Sequence, residues 1–239
     1  MNYRIAIMAG GLGTRMKSST PKFLHKINNK HMIVYSIEAC LGLPNVEIIY
    51  IILSPSVLEQ CQFLHAMFPN RLEFVFQECP RGTGHAIQCL PLETLLPTET
   101  LLVLNADMPN IQTDILKSFL EYSNEKCAII GAKLENPKGY GRLILTDQIL
   151  ERIEEDKDTM DKENKLCNMG IYCFLIGDLH KHLYKLDTNN KSNEYYLTQI
   201  FQFIKETMVY QIPQEQIKYL KGVNTPDELA DILQDMIIT

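Results

Sequence analysis

Two cations, Arg15 and Lys22, follow a glycine-rich turn near the start of the chain. The run is Met8-Ala9-Gly10-Gly11-Leu12-Gly13-Thr14-Arg15-Met16, and Pro21-Lys22 comes shortly after it. Glycines let a backbone approach a bulky anion closely and present N–H groups to it. Cations beside such a turn can neutralise charge that builds up on phosphate. The pattern points to a polyanion. Met8, Ala9, Gly10, Gly11, Gly13 and Thr14 are the candidate nucleotide cradle, and Arg15 and Lys22 are the candidate catalytic cations. No G-x-x-x-x-G-K-[ST] is present, so this is not a P-loop. It also fails as a dinucleotide fingerprint, because Met16 stands where a third glycine is required. Taken alone, the turn reads equally well as a structural bend after a first strand.

Three further constellations bear on chemistry. In Gln77-Glu78-Cys79-Pro80-Arg81-Gly82-Thr83-Gly84-His85-Ala86, Gln77 offers a donor and an acceptor on one amide, which suits the edge of a pyrimidine. Gly82 lets the backbone meet a planar base, and Thr83 adds a hydroxyl; His85 and Ala86 read as packing at a helix start. Asp107 follows the strand-like run 101–106, and a strand end is a good place for a hard cation such as Mg²⁺, which takes few protein ligands. The competing reading of Asp107 is a helix cap. Asn224, in Gly222-Val223-Asn224-Thr225, offers a carbonyl oxygen that would complete such a metal site; otherwise it is a loop residue.

These residues need a scaffold. Strand-like runs at 3–8, 46–53, 72–76, 101–106 and 126–133 alternate with helical patterns at 31–43, 55–67, 84–94 and 111–124. The alternation predicts an α/β fold of Rossmann-like type, with a mixed, mostly parallel sheet and helices on both faces. Ligands bind such sheets beyond the carboxyl ends of the strands, where the glycine turn and Asp107 both fall. Farther along, Lys138–Arg142 opens hairpin-like structure. The charged stretch Glu151–Lys165 reads as a solvated loop or a mobile lid. Thr225-Pro226-Asp227-Glu228 is a helix start with a capping box, and Leu229, Ile232, Leu233, Met236 and Ile237 form one core-packing stripe after it.

The net charge of −6 over 239 residues argues against a nucleic-acid binder, which would carry a basic stripe. Seven cysteines include no C-x-x-C pair. Neither a zinc site nor a disulfide framework is indicated, and reduced thiols in the cytoplasm fit best. Cys79, close to the second motif, reads as a packing residue rather than a reactive thiol. No signal peptide is visible. The longest apolar run, Ile48–Leu53, is too short to cross a membrane.

Taken in order, the motifs resemble the uridylyltransferase domain of the bacterial bifunctional enzymes that make UDP-N-acetylglucosamine, over residues 3 to about 235. A-G-x-G-T-R-M…P-K stands at Ala9–Lys22 and Q-x-x-x-x-G-T-G-H-A at Gln77–Ala86. G-Y-G-R stands at Gly139–Arg142, E-x-K-D at Glu155–Asp158 and N-x-G at Asn168–Gly170. N-N-x-x-x-E-Y-Y stands at Asn189–Tyr196, and G-V-N at Gly222–Asn224. The first motif is shared with many sugar and polyol nucleotidyltransferases; the ordered set is specific.

The resemblance implies UTP and N-acetylglucosamine-1-phosphate as substrates, Mg²⁺ as cofactor, and no nucleic-acid or membrane partner. It implies that Arg15 and Lys22 hold the triphosphate and that Gln77, Gly82 and Thr83, with the Ala9–Gly11 backbone, read uracil. Asp107 and Asn224 would bind Mg²⁺. Gly141, Glu155, Asn168, Glu194, Tyr195 and Tyr196 would hold the sugar. Residues 1–239 would form one domain, with a nucleotide half (1–110) and a sugar half (111–239). A sugar phosphate has a second pKa of about 6, so it attacks without a general base. The absence of hexapeptide repeats sets the expectation of no acetyltransferase activity and no β-helix trimer. Asn105-Ala106-Asp107 departs from the family's Y-G-D, and Gln199 replaces its aspartate. Another sugar phosphate, another nucleotide base, and a non-catalytic nucleotide-sensing relative are the alternatives.

Overall fold

The computed structural model describes residues 2–11, 16, 18–147 and 149–237. The strands are β1 (Tyr3–Met8), β2 (Lys26–Ile27), β3 (Lys30–His31), β4 (Val46–Leu53), β5 (Leu72–Phe76), β6 (Thr100–Asn105), β7 (Ala128–Lys133), β8 (Arg142–Thr146), β9 (Ile149–Glu154), β10 (Leu166–Leu175) and β11 (Met208–Gln211). The helices are α1 (Met32–Leu41), α2 (Leu58–Cys61), α3 (Phe63–Met67), α4 (Thr83–Gln88), α5 (Thr113–Ser123), α6 (Ile176–His182) and α7 (Pro226–Ile237).

One sheet runs in the order β11-β7-β10-β6-β1-β4-β5. β1 pairs in parallel with both β4 and β6; β10 runs antiparallel between β6 and β7. The β8–β9 hairpin joins through β10. Successive residues of the central strands point to opposite faces, and both faces are covered. Ile5, Ile7, Ile49, Ile51, Leu102 and Leu104 pack with Ile33 and Ile37 of α1 and Leu116 and Phe119 of α5. Ala6, Tyr50, Ile52, Leu101 and Val103 pack on the other side with Ile87 of α4 and Leu179 of α6. Double-sided burial explains why β4 reads as an almost unbroken apolar run rather than an alternating one.

Some elements differ from the sequence expectation. The 55–67 segment is a 3₁₀ turn at Pro55–Val57 followed by two short helices, with Cys61 and Leu64 as their buried residues. So small an apolar face does little to hold one continuous helix. The 84–94 helix starts at Thr83 and stops at Gln88, three residues ahead of Pro91, which cannot continue it. α5 ends at Asn124, which adopts the left-handed conformation (φ 44°). α7 begins as its sequence specifies: Glu228 N donates to Thr225 Oγ1 at 3.2 Å, and Glu228 Oε2 accepts from Asn224 N and Thr225 N at 2.6 and 3.0 Å. Its Ile232 packs with Met16, Ile27, Met32 and Val223. Among the described residues no helix is long and apolar enough to cross a membrane.

Candidate active site

The chain leaves β1 at the sheet's switch point, between β4 and β6. Ala9 N donates to Ile52 O at 2.9 Å, and Ala106 N donates to Met8 O at 3.1 Å. A small cavity of about 130 Å³ opens there, lined by Met8, Ala9, Gly11, Lys22, Thr83 and Asp107 among others. Lys22 starts a 3₁₀ turn whose Phe23 and Leu24 are buried, which anchors its backbone. Its ammonium donates to the Asp107 carboxylate and, at 3.1 Å, to Asn224 Oδ1. Val223 N donates to Asp107 O at 2.9 Å, so the chain before α7 is fastened to the end of β6. A side chain on Gly222 would place its Cβ 3.1 Å from Asp107 Oδ1. Arg15, Gly13 and Thr14 lie outside the described residues.

Asp107 and Asn224 thus both accept from the Lys22 ammonium. Among the described residues no group of three or more His, Cys, Asp or Glu side chains gathers to hold a metal. One carboxylate and one amide oxygen suit Mg²⁺, which keeps several waters and takes the rest of its ligands from phosphate. The donor set fits that ion.

Gln77, nearly fully buried, lies beside the glycine turn at Gly10. Its Nε2 bonds Gly82 O and His85 Nδ1, both at 3.0 Å. Burial and the nearby Arg81 lower the His85 pKa, which keeps the imidazole neutral and Nδ1 able to accept. With both amide hydrogens engaged, Oε1 is the atom Gln77 can offer, and it lies 2.8 Å from where a Gly10 Cβ would stand. Gly82 sits at φ 108°, and a Cβ there would fall 2.5 Å from Tyr195 O. Both constraints demand glycine. Thr83 Oγ1 accepts from Leu197 N at 3.0 Å, so part of its hydroxyl's capacity is structural.

A larger cavity of about 400 Å³ shares Met8, Thr83, Asn105 and Asp107 with the first. Gly141, Glu155 and Asn168 line it, and so do Lys138, Tyr140, Thr198 and Glu228, which sequence reasoning did not single out. Asn168 is locked: its Nδ2 donates to Tyr172 Oη and its Oδ1 accepts from Gly170 N, both at 2.8 Å. Glu194 and Tyr195 do not line this cavity. Their chain lies against the 81–84 loop, with Gly84 N donating to Tyr195 O at 2.7 Å and Tyr195 N to Arg81 O at 2.8 Å. The Arg81 guanidinium stacks over the Tyr195 ring, 4.9 Å from its centroid. Tyr196 faces a neighbouring cavity of about 300 Å³ that also touches Glu155 and Thr198. Gln199 Oε1 accepts from Asp187 N at 2.9 Å.

Burial raises the Glu155 pKa, and Asp158, Asp156 and Glu194 add to the rise; a 2.6 Å bond from Thr198 Oγ1 opposes it. A carboxyl with a raised folded-state pKa favours the folded state at low pH and loses that contribution as pH rises through the folded value. Glu155→Gln should therefore melt at a higher temperature than the parent at pH 7 to 8. The gain should vanish on acidification below the ordinary carboxylate range. Melting curves at the two pH values check this, and a pH-independent difference would contradict it.

A family model described as the MobA-like NTP transferase domain matches residues 5–167. The chain belongs to that family. Among its relatives, the "Bifunctional protein GlmU" of Prochlorococcus marinus (strain NATL2A) is 36% identical over 235 residues, covering 95% of this chain and 51% of its own. The protein of the same name from Aliarcobacter butzleri (strain RM4018) is 38% identical over 232 residues, covering 95% and 52%. This NTP transferase chain thus spans about half the length of these relatives. In fold it matches a UDP-glucose pyrophosphorylase crystallised with UDP-glucose, with a TM-score of 0.73 at 19% identity, covering 100% of this chain and 99% of that one. The mostly parallel sheet with helices on both faces is the architecture of nucleotide-sugar pyrophosphorylases.

Proposed function

We propose that the chain transfers uridylyl from UTP to N-acetylglucosamine-1-phosphate, forming UDP-N-acetylglucosamine and pyrophosphate. The observation that carries this reading is the meeting of Lys22, Asp107 and Asn224 where the small and large cavities join. The small cavity, with the glycine turn and the Gln77–Thr83 loop, takes the nucleotide. The large one, with Gly141, Glu155 and Asn168, takes the sugar. Residues 1–110 supply most of the first and 111–239 most of the second.

Gln77 Oε1 can accept a hydrogen bond from a ring N–H, as uracil and thymine present at N3 and cytosine does not. Glu155 accepts from sugar hydroxyls, and Asn168 is held rigid for a polar contact. The acceptor phosphate oxygen bonds to the α-phosphorus as the bond to the β-phosphate oxygen breaks, and pyrophosphate leaves. Arg15 and Lys22 hold the charge that spreads over the transferring group. Mg²⁺ held by Asp107 and Asn224 would neutralise triphosphate charge and align the two phosphates.

Pyrophosphate release, measured with Mg²⁺ over four nucleoside triphosphates and several sugar-1-phosphates, tests the proposal. Release is expected for UTP with N-acetylglucosamine-1-phosphate. Release with UTP and glucose-1-phosphate instead would overturn the sugar assignment. No release with any pair, despite UTP binding, would indicate a nucleotide-sensing relative.

A further inference from the structure

The large cavity has an unbalanced charge. Among the described residues its lining includes three carboxylates, Asp107, Glu155 and Glu228, and one lysine, Lys138. Lys22 faces the smaller cavity and is paired with Asp107. Neighbouring cations do not line the large cavity and point elsewhere. Lys157 Nζ donates to Ser192 Oγ at 3.0 Å, Lys162 Nζ to Asp156 O at 2.7 Å and Lys191 Nζ to Lys157 O at 2.5 Å. Lys138 forms no ion pair among the described residues.

The turn that carries Lys138 is held from several directions. Lys138 N donates to Asn136 Oδ1 at 3.2 Å, and Tyr140 N donates to Pro137 O at 3.2 Å. Gly139 adopts φ 86°. Behind the turn lies Arg142, almost wholly buried, which donates to Tyr140 O and, at 3.0 Å, to Asp156 Oδ1. The Gly139 amide bonds the same carboxylate. Arg142 Nε is buried with no partner, so this ion pair carries an uncompensated desolvation cost. What it fastens is the turn that places Lys138, an exposed residue, on the wall of the acidic cavity.

We infer that Lys138 binds the phosphate of the acceptor sugar phosphate, so that the cavity selects phosphorylated over neutral sugar. The inference rests on the uridylyl-transfer reading and adds the group that recognises the acceptor's charge. With Asp107 paired to Lys22, Glu155 and Glu228 remain on the wall, and a dianion entering beside them is favoured by a cation placed to receive it. Arg142 and Asp156 are positioning residues that act through the turn.

The test compares K138A and K138R with the native chain, using Michaelis constants for both substrates and inhibition by unphosphorylated N-acetylglucosamine. In K138A the constant for the sugar phosphate should rise about 10- to 100-fold, the worth of one charge-assisted hydrogen bond. The UTP constant and the free-sugar inhibition constant should stay native, and K138R should restore most of the loss. An unchanged acceptor constant, or a parallel rise for UTP or free sugar, would overturn the assignment. If the native chain released no pyrophosphate with any pair, the uridylyl-transfer reading would fail on its own. Calorimetry with N-acetylglucosamine-1-phosphate and N-acetylglucosamine would then decide the Lys138 question separately. A preference for the phosphorylated sugar that K138A abolishes supports it, and no preference in the native chain sinks it.

Discussion

Lys22→Ala should lower kcat by about 10²- to 10³-fold, the scale seen on removing one donor aimed at transition-state charge. UTP should still bind, because the glycine turn and the Gln77 loop do not depend on the ammonium. The structure adds a second expectation. Lys22 occupies the space between Asp107 and Asn224, where the metal would be held. It therefore competes with Mg²⁺ for those oxygens, and its removal should leave the half-saturating Mg²⁺ concentration equal or lower. Steady-state kinetics across Mg²⁺ concentrations, with UTP affinity by calorimetry, read all three quantities. Near-native turnover would remove Lys22 from the mechanism. A loss of UTP affinity equal to the loss of rate would make it a ground-state ligand instead.

Asp107→Asn should move the Mg²⁺ titration the other way. The substitution keeps the shape and removes the charge, and it also strips Lys22 of its counter-ion. The half-saturating concentration should rise on the order of 100-fold, at least as much as the loss of an outer-shell partner costs a metal site. Mn²⁺ binding followed by electron paramagnetic resonance gives a readout independent of turnover, and should show the same weakening. An unchanged titration in both experiments would reject Asp107 as a metal ligand. The two variants together make a directional test: one cation and one carboxylate, in contact, with opposite effects on metal demand.

Much of the first half was legible because its strands are buried on both faces. Runs such as Val46–Leu53 leave little else to read. The second half hid its central strand. In β10, Asn168 and Gly170 interrupt the apolar run, and the pairing register with β7 shifts between Asn168 and Tyr172. Gly170 has φ 75°, and a Cβ there would fall 2.9 Å from Asn105 Nδ2. The residues that break the strand signal are the ones that bend the strand and turn Asn168 into the cavity. β11, four residues long at the sheet edge, was too short to signal. The α7 start was readable because a capping box is local, whereas the partners of Tyr195 were not. Its backbone supports Gly82–Gly84, a contact between segments over a hundred positions apart that no spacing reveals. Lys138 was missed for a similar reason, since its place beside Glu155 and Glu228 exists only after folding.

The bond between Lys22 and Asn224 closes a loop of 202 positions, and Asp107 reaches Lys22 across 85. A closure of 202 positions costs more entropy than a short one and forms only after nearer contacts have repaid part of the cost. Assembly of the reactive centre is thereby placed late in folding, after the sheet has brought β1 beside β6 and once α7 has docked. A chain still emerging from the ribosome lacks the Asn224 oxygen long after Lys22 and Asp107 have been made. Competence is thus postponed until synthesis has passed residue 224.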